Sequence, residues 1–224
     1  YKIFPLQDAT MYSRYPSTNT GIDAILELSN LNPSTIGTPV VARPIIQFDQ
    51  SQINDIIDNL NTGSTAISAS LKAFIADASG IVMKSDLYVY PTSGSWNNGS
   101  GEYLDNPPTT NGVSWKYRSN DGSNAWSTDN FNTNVTASFI TASEGGGTWY
   151  TSSSDIRLNL EYSQSFNLRT EKDINVDVTD IVKTWYSSSN SIVGTYTEIE
   201  NNGFLLKWSD EIEFDSNLAI QPKM

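Results

Sequence analysis

The sequence predicts an antiparallel β-sandwich of the jelly-roll-like kind, all-β apart from two short helices. Three observations carry this expectation. Ser, Thr and Asn supply 73 of the 224 residues, and 6 Trp, 11 Tyr and 8 Phe stand beside only 17% charged residues. Thr and the aromatics fit pleated surfaces, while Asn, Gly and Ser supply turns. Apolar residues mostly alternate with polar ones, and only two stretches change to a helical period.

The elements follow in order. Ile3 to Ser13 reads as an opening strand, with Pro5 confined to an edge or strand-entry position because it cannot donate to a ladder. Pro16 to Gly21 is a turn, Ile22 to Leu28 a short strand and Asn32 to Pro39 a second turn. Val40 to Asp49 is a strong strand that carries Arg43 among apolar neighbours. Ile53, Ile56, Ile57 and Leu60 then recur at i, i+3, i+4 and i+7, predicting a helix over about 52–60. Asp49 or Ser51 is placed to cap it, and Gly63 follows its end. Ser68 to Asp77 and Lys84 to Tyr90 read as an antiparallel pair turning near Asp77 to Gly80. Leu87 and Val89 face opposite to Tyr88 and Tyr90.

Residues 91–132 form a long loop-rich insertion, with a short strand at Val113 to Arg118. Asn134 to Thr141 and Ile156 to Phe166 are further strands. Ile174 to Val178 is a strand running into a helix over about 179–187, with Thr179 as N-cap, Asp180 suited to the positive helix start, and Ile181, Val182 and Trp185 facing the core. Asn201-Asn202-Gly203 turns into the strand Phe204 to Trp208, and Asp210 to Asp215 forms a last, acidic strand. Neither linker nor repeat divides residues 1–224, so a single β domain is expected.

Composition excludes whole classes of chemistry. Without His or Cys there is no imidazole base, cysteine nucleophile, disulfide or Cys/His zinc site. No cofactor and no metal is expected, and the protein is read as not an enzyme. A net charge of −12 disfavours nucleic acid as a partner. The charge is spread: residues 1–112 hold 5 basic and 10 acidic side chains, residues 113–224 hold 8 and 15. Mean hydropathy is −0.37, and no apolar run reaches the ~18 residues of a membrane span, so no membrane partner is expected.

Several stretches carry a resemblance. Asp8-Ala9-Thr10 with Asn19-Thr20-Gly21, Arg43 to Asp49, Asp177 to Trp185 and Asn202 to Lys207 occur in an order similar to that of the DNRLRE-type β-sandwich family. Ser95-Trp96, Gly99, Gly101, Asp105, Pro107 and Thr110 to Arg118 resemble the branch found in tailed-phage virion proteins. So do Gly145 to Tyr150, Ser163 to Phe166 and Lys172 to Ile174. The six-letter motif that names the family is absent. The resemblance implies a further strand after the acidic segment. The sequence stops at Met224, so that strand is expected to be missing or supplied by a neighbour. It also implies a virion location and a non-enzymatic role as a neck, tail, fibre or head-decoration protein. Other virion proteins, and copies of the chain in a homo-oligomer or ring, are the implied partners.

The individual candidates are weighed on their chemistry. Arg43 is either a ligand-binding cation or a structural arginine paired with a carboxylate such as Asp8 or Asp177; pairing is the expectation, because buried charges are normally paired. Asp177 and Asp180 are either metal or catalytic carboxylates, or helix caps, and capping is preferred. Residues 96–105 offer oxygens and glycines that suit either Ca²⁺ or an ordered loop. Trp96, Trp115, Trp126 and Trp149 either form a platform for a host glycan or a partner, or bury as a second small core, which is preferred. In the glycan reading the protein is a carbohydrate-binding module. Glu102, Asp105, Glu144 and Asp155 supply carboxylates for a hydrolase, but no spacing pairs them. Glu198 to Asp215 holds six acids and one Lys and reads as a solvated face.

Overall fold

The computed structural model describes residues 1–31, 40–60, 67–77, 85–119, 124–126, 135–138, 145–150, 160–166, 173–189, 199–209 and 211. Among them the chain is mostly antiparallel β, with two helices. The elements are β1 (Gln7–Tyr12), β2 (Ser29–Leu31), β3 (Val40–Gln47), α1 (Gln50–Leu60), β4 (Ser70–Ala73), β5 (Ser85–Pro91), β6 (Val135–Ser138), β7 (Gly145–Tyr150), β8 (Tyr162–Phe166), β9 (Ile174–Asp177), α2 (Thr179–Ser189) and β10 (Phe204–Trp208).

A central sheet runs β1-β3-β10-β5-β8. β1 takes Ala42 of β3 from one edge, so β2, which also pairs with Ala42, shares the other edge with β10. β4 with β9 and β6 with β7 form two smaller sheets. Alternation along each central strand sends side chains to two faces. Ile46, Leu87, Val89, Phe204 and Leu206 enter one core, together with Phe166. Ala9, Met11, Val41, Ile45, Tyr90 and Leu205 enter the other. The first face is covered by Ile53 and Ile57 of α1, Ile181 and Trp185 of α2, Leu71 of β4 and Val176 of β9. The second is covered by Trp96, Val113, Trp115 and Trp126 from the long loop and Trp149 from β7. Burial on both faces is why β3 and β10 read as nearly continuous apolar runs.

Both helices start on a carboxylate. The Asp49 carbonyl accepts the Ile53 amide at 3.2 Å. Its carboxylate accepts the Ser51 amide at 2.8 Å, an N-cap arrangement. At α2 the Val178 carbonyl takes the first helical bond, from Val182, and the Asp177 carboxylate accepts the Thr179 amide at 2.9 Å. Thr179 is therefore not the N-cap. Its hydroxyl oxygen accepts the Ala69 amide at 2.9 Å and ties the helix start to the chain entering β4.

Three other expectations are corrected. Ile22 to Leu28 is not a strand: its amides are spent singly, Ile22 on the Gly101 carbonyl and Glu27 on the Thr10 hydroxyl, so no ladder forms. β4 does not pair with β5. β5 is buried on both faces and has both edges filled, by β10 and β8, whereas β4 lies in the covering layer and pairs with β9. Val113 to Arg118 makes one isolated bridge, Tyr117 to Ala125, rather than a strand. The expected turns at 32–39 and 78–80, residues 156–159 and, apart from Glu211, the 210–215 segment lie outside the described residues. No helix among the described residues is long and apolar enough to cross a membrane.

Candidate functional site

Arg43 stands opposite Met11 in the β1–β3 register and so points into the second core. It is fully buried. Its Nε donates to Glu211 Oε2 at 3.0 Å, and Nη2 donates to the same oxygen. Nη1 donates to the Gly146 carbonyl at 2.7 Å. The guanidinium lies 5.0 Å from the Trp115 ring centroid and 5.5 Å from that of Trp149, within cation–π range. The Lys207 ammonium adds a contact to Glu211 at 3.7 Å and to the Trp149 ring at 5.3 Å. Arg43 is thus paired, but with neither expected carboxylate. Asp8 sits opposite Ile46, on the other face of the sheet, and Asp177 ends β9 in the layer over that face. Glu211 comes from the acidic segment that reads as solvated, and its side chain is fully buried. Gly146, at φ +80°, permits this approach: a Cβ there would stand 2.7 Å from both Arg43 Nη1 and the Trp115 ring.

The three loop tryptophans and Trp149 of β7 face inward. Trp96, Trp115, Trp126 and Trp149 are all buried. Trp96 Nε1 donates to the Asn202 carbonyl at 2.8 Å, and Trp126 Nε1 to the Ser114 carbonyl at 3.0 Å. They form the second core, and the alternative, a glycan platform, is not built from them. Trp185 is buried in the first core, its ring centroid 4.7 Å from that of Phe204.

Two loops are locked together by Asn19, a residue that reads in the sequence only as part of a turn. Its amide nitrogen donates to the Asn98 and Val113 carbonyls at 2.7 and 2.8 Å. Its amide oxygen accepts the Gly101 amide at 2.8 Å. Asn98 Nδ2 returns a bond to the Gly21 carbonyl at 2.6 Å. A Cβ at Gly99, itself at φ +76°, would come within 2.3 Å of Asn19 Oδ1. The Ile22 amide bonds the Gly101 carbonyl, and the Tyr103 amide bonds Asp23 Oδ1 at 3.1 Å. Tyr103 packs against Tyr12 and Tyr15, with centroids at 4.7 and 5.5 Å. The joined loops present large apolar side chains to solvent: Leu104 is 84% and Ile25 68% exposed, with Ile22, Tyr15 and Tyr103 partly exposed beside them.

The carboxylates serve the backbone. Asp105 Oδ2 accepts the Glu102 amide at 3.0 Å and the Thr109 hydroxyl, and these bonds hold its carboxyl below the usual range. A glycosidic acid needs the opposite shift. Glu144 and Asp155 lie outside the described residues. Asp180 accepts the Tyr162 hydroxyl at 3.1 Å. In the loop 96–105 the Asn97 oxygen accepts the Gly99 amide. Among the described residues no three Asp or Glu side chains gather as a metal site.

One depression of about 290 Å³ is lined by Ser95, Trp96, Asn97, Arg118, Ser119 and Asn124. No family model, curated protein or solved structure matches the chain.

Proposed function

We propose that the protein is a non-enzymatic structural component of a tailed-phage virion, a neck, tail, fibre or head-decoration protein that works by packing against other virion proteins. The observation that carries the reading is the Asn19-locked loop pair with Ile25 and Leu104 held out in solvent. Large apolar side chains on a rigid support, rimmed by polar residues, mark protein interaction surfaces. Asp23, Glu27, Glu102 and Asp105 lie on the same two loops, so the fitting neighbour is a protein surface with apolar knobs in a basic rim. The inward use of Arg43, Glu211 and the tryptophans is what a rigid packing module requires. The order of the sequence pieces, similar to that of DNRLRE-type virion proteins, supplies the particle. Copies of the chain in a ring or other closed homo-oligomer agree with this role.

Immunogold labelling of purified particles, with copy number from quantitative mass spectrometry, tests it. Label at one vertex at about a dozen copies or fewer assigns a neck or tail component, and label over the head in high copy assigns a decoration protein. Ile25→Asp with Leu104→Asp is expected to cut incorporation about tenfold or more while leaving the melting temperature unchanged, because both side chains are exposed. Unlabelled particles, or undiminished incorporation of the double variant, overturn the proposal.

A further inference from the structure

We infer that the depression around Arg118 binds a sugar residue that carries a carboxylate. The site shares the 96–105 loop with that patch but is lined by other residues, and it stands whether or not the patch docks a virion neighbour. Its frame is fixed by backbone bonds. The Asn97 amide donates to the Arg118 carbonyl at 3.0 Å, and the Arg118 amide to the Asn124 carbonyl at 2.7 Å. The Trp126 amide donates to the Lys116 carbonyl at 3.1 Å. Trp96, pinned through Nε1 to Asn202, adds an apolar side to the wall.

The guanidinium is incompletely used. Arg118 Nη1 makes a long bond of 3.3 Å to the Ser95 carbonyl, and its Nε is buried without a hydrogen-bond partner. No acidic side chain lines the depression among the described residues, although the chain holds 25 acids against 13 bases. The outer edge of the guanidinium, Nη1 and Nη2, offers two donors of the kind that match a carboxylate.

The surrounding groups suit a sugar rather than a bare carboxylate. Asn97 Oδ1 is spent on the Gly99 amide, which leaves its NH₂ to donate. Asn124 Nδ2 is spent on the Ser119 hydroxyl, which leaves its carbonyl oxygen to accept. One side-chain amide donor, one amide acceptor and the hydroxyls of Ser95 and Ser119 around a cation form a set that neighbouring sugar hydroxyls can fill. The volume of about 290 Å³ exceeds what one carboxylate needs.

Glucuronic acid and N-acetylneuraminic acid are the probes, with glucose and acetate as controls. The protein is titrated while the Arg118 Nε–H resonance is followed by NMR. At least one acidic sugar is expected to shift it saturably, with a dissociation constant near ~1 mM, and both controls to bind at least about tenfold more weakly. Arg118→Lys keeps the charge but loses the fork, and Asn124→Ala removes the acceptor. Each is expected to weaken the sugar about tenfold or more without moving the melting temperature. Four outcomes overturn the assignment: no shift with either sugar, acetate or glucose binding as well as the sugars, unchanged binding by Arg118→Lys, or unchanged binding by Asn124→Ala.

Discussion

Arg43 and Glu211, 168 residues apart in sequence, form a fully buried ion pair between the central sheet and the layer of loop tryptophans. The pair joins strand β3, the glycine strand β7 and the chain that leaves β10. Its two charges have left water together, so removing one is worse than removing both. Glu211→Gln leaves Arg43 with its positive charge uncompensated by that carboxylate and is expected to destabilise the fold by ~3–5 kcal/mol. Arg43→Met with Glu211→Met should recover much of that loss. A double-mutant cycle with Arg43→Met and Glu211→Met as its single variants, followed by urea denaturation, measures the coupling. Additive losses in the two single variants would show that the pair is not coupled in solution.

The Asn19 side chain meets three backbone groups of the neighbouring loop, two as donor and one as acceptor. Asn19→Ala strands two carbonyls and an amide in a buried site, at a cost of ~1–3 kcal/mol. Asn19→Asp keeps the shape but, when ionised, turns an acceptor towards the Asn98 and Val113 carbonyls, and is expected to be worse than Ala at neutral pH. Lowering the pH should narrow that gap, since the protonated acid regains a donor. Hydrogen exchange at Gly101 and Val113 reports the same event locally. Protection unchanged in both variants would remove Asn19 as the lock.

Parts of this arrangement are legible in the sequence. Apolar spacing at Ile53, Ile56 and Ile57 marks α1, because a helix face is a local property. The opposite facing of Leu87 and Tyr88 is legible for the same reason, and the two side chains do pack against different cores. That Arg43 must be paired also follows from its apolar strand. Its partner does not, because which carboxylate shares its face depends on strand register and on a chain reversal after Trp208. Glu211 is one acid among six in its segment, and only the fold distinguishes it. The partner of β4 is hidden likewise: sequence proximity favours β5, while two-sided burial sends β5 to an interior position of the sheet, between β10 and β8. Ile22 and Ile25 read as a strand because periodicity records apolarity, not what covers it. In the Arg118 depression the signal is absent altogether, since backbone pairing between distant loop segments creates it.

At α2 the structure separates capping from tethering. Asp177 accepts the Thr179 amide, and the Thr179 side chain and amide together hold the Asp177 carboxyl below its usual range. Its folded value is depressed, so its contribution is present above the unfolded value near ~3.9 and is lost as pH falls through the folded one. Asp177→Ala should cost ~0.5–1 kcal/mol at neutral pH, the low end for a cap because the carboxylate is exposed, and the deficit should vanish in acid. Thr179→Val removes the bond to the Ala69 amide as well as the side-chain contact with Asp177, so only the part of its loss that comes from Ala69 should persist at low pH. Denaturation of both variants at neutral and acid pH checks this. A deficit in Asp177→Ala that ignores pH would mean that the carboxylate's charge is not what caps α2.

The buried Tyr12 and Tyr90 and the partly buried Tyr162 donate to carboxylates: Tyr12 to Glu27 at 3.1 Å, Tyr90 to Glu161 at 2.9 Å and Tyr162 to Asp180 at 3.1 Å. Burial first, then the neighbouring negative charge, pushes all three hydroxyls well above the ordinary tyrosine range. Their folded values exceed the unfolded value near ~10, so both states keep the proton below that pH and the stabilisation is fully present there. Above it the unfolded chain releases protons that the folded chain retains, and stability falls until the folded values are reached. The urea midpoint is therefore expected to hold through neutral pH and drop steadily above about pH 10. Tyrosinate absorbance should rise in two stages, exposed rings first and these three only as the fold opens. Tyr90→Phe should lower stability by ~1 kcal/mol at neutral pH, through the donor lost to Glu161, and flatten the alkaline decline. A single tyrosinate transition near the ordinary value, with tryptophan fluorescence still native, would show that these hydroxyls ionise without cost to the fold.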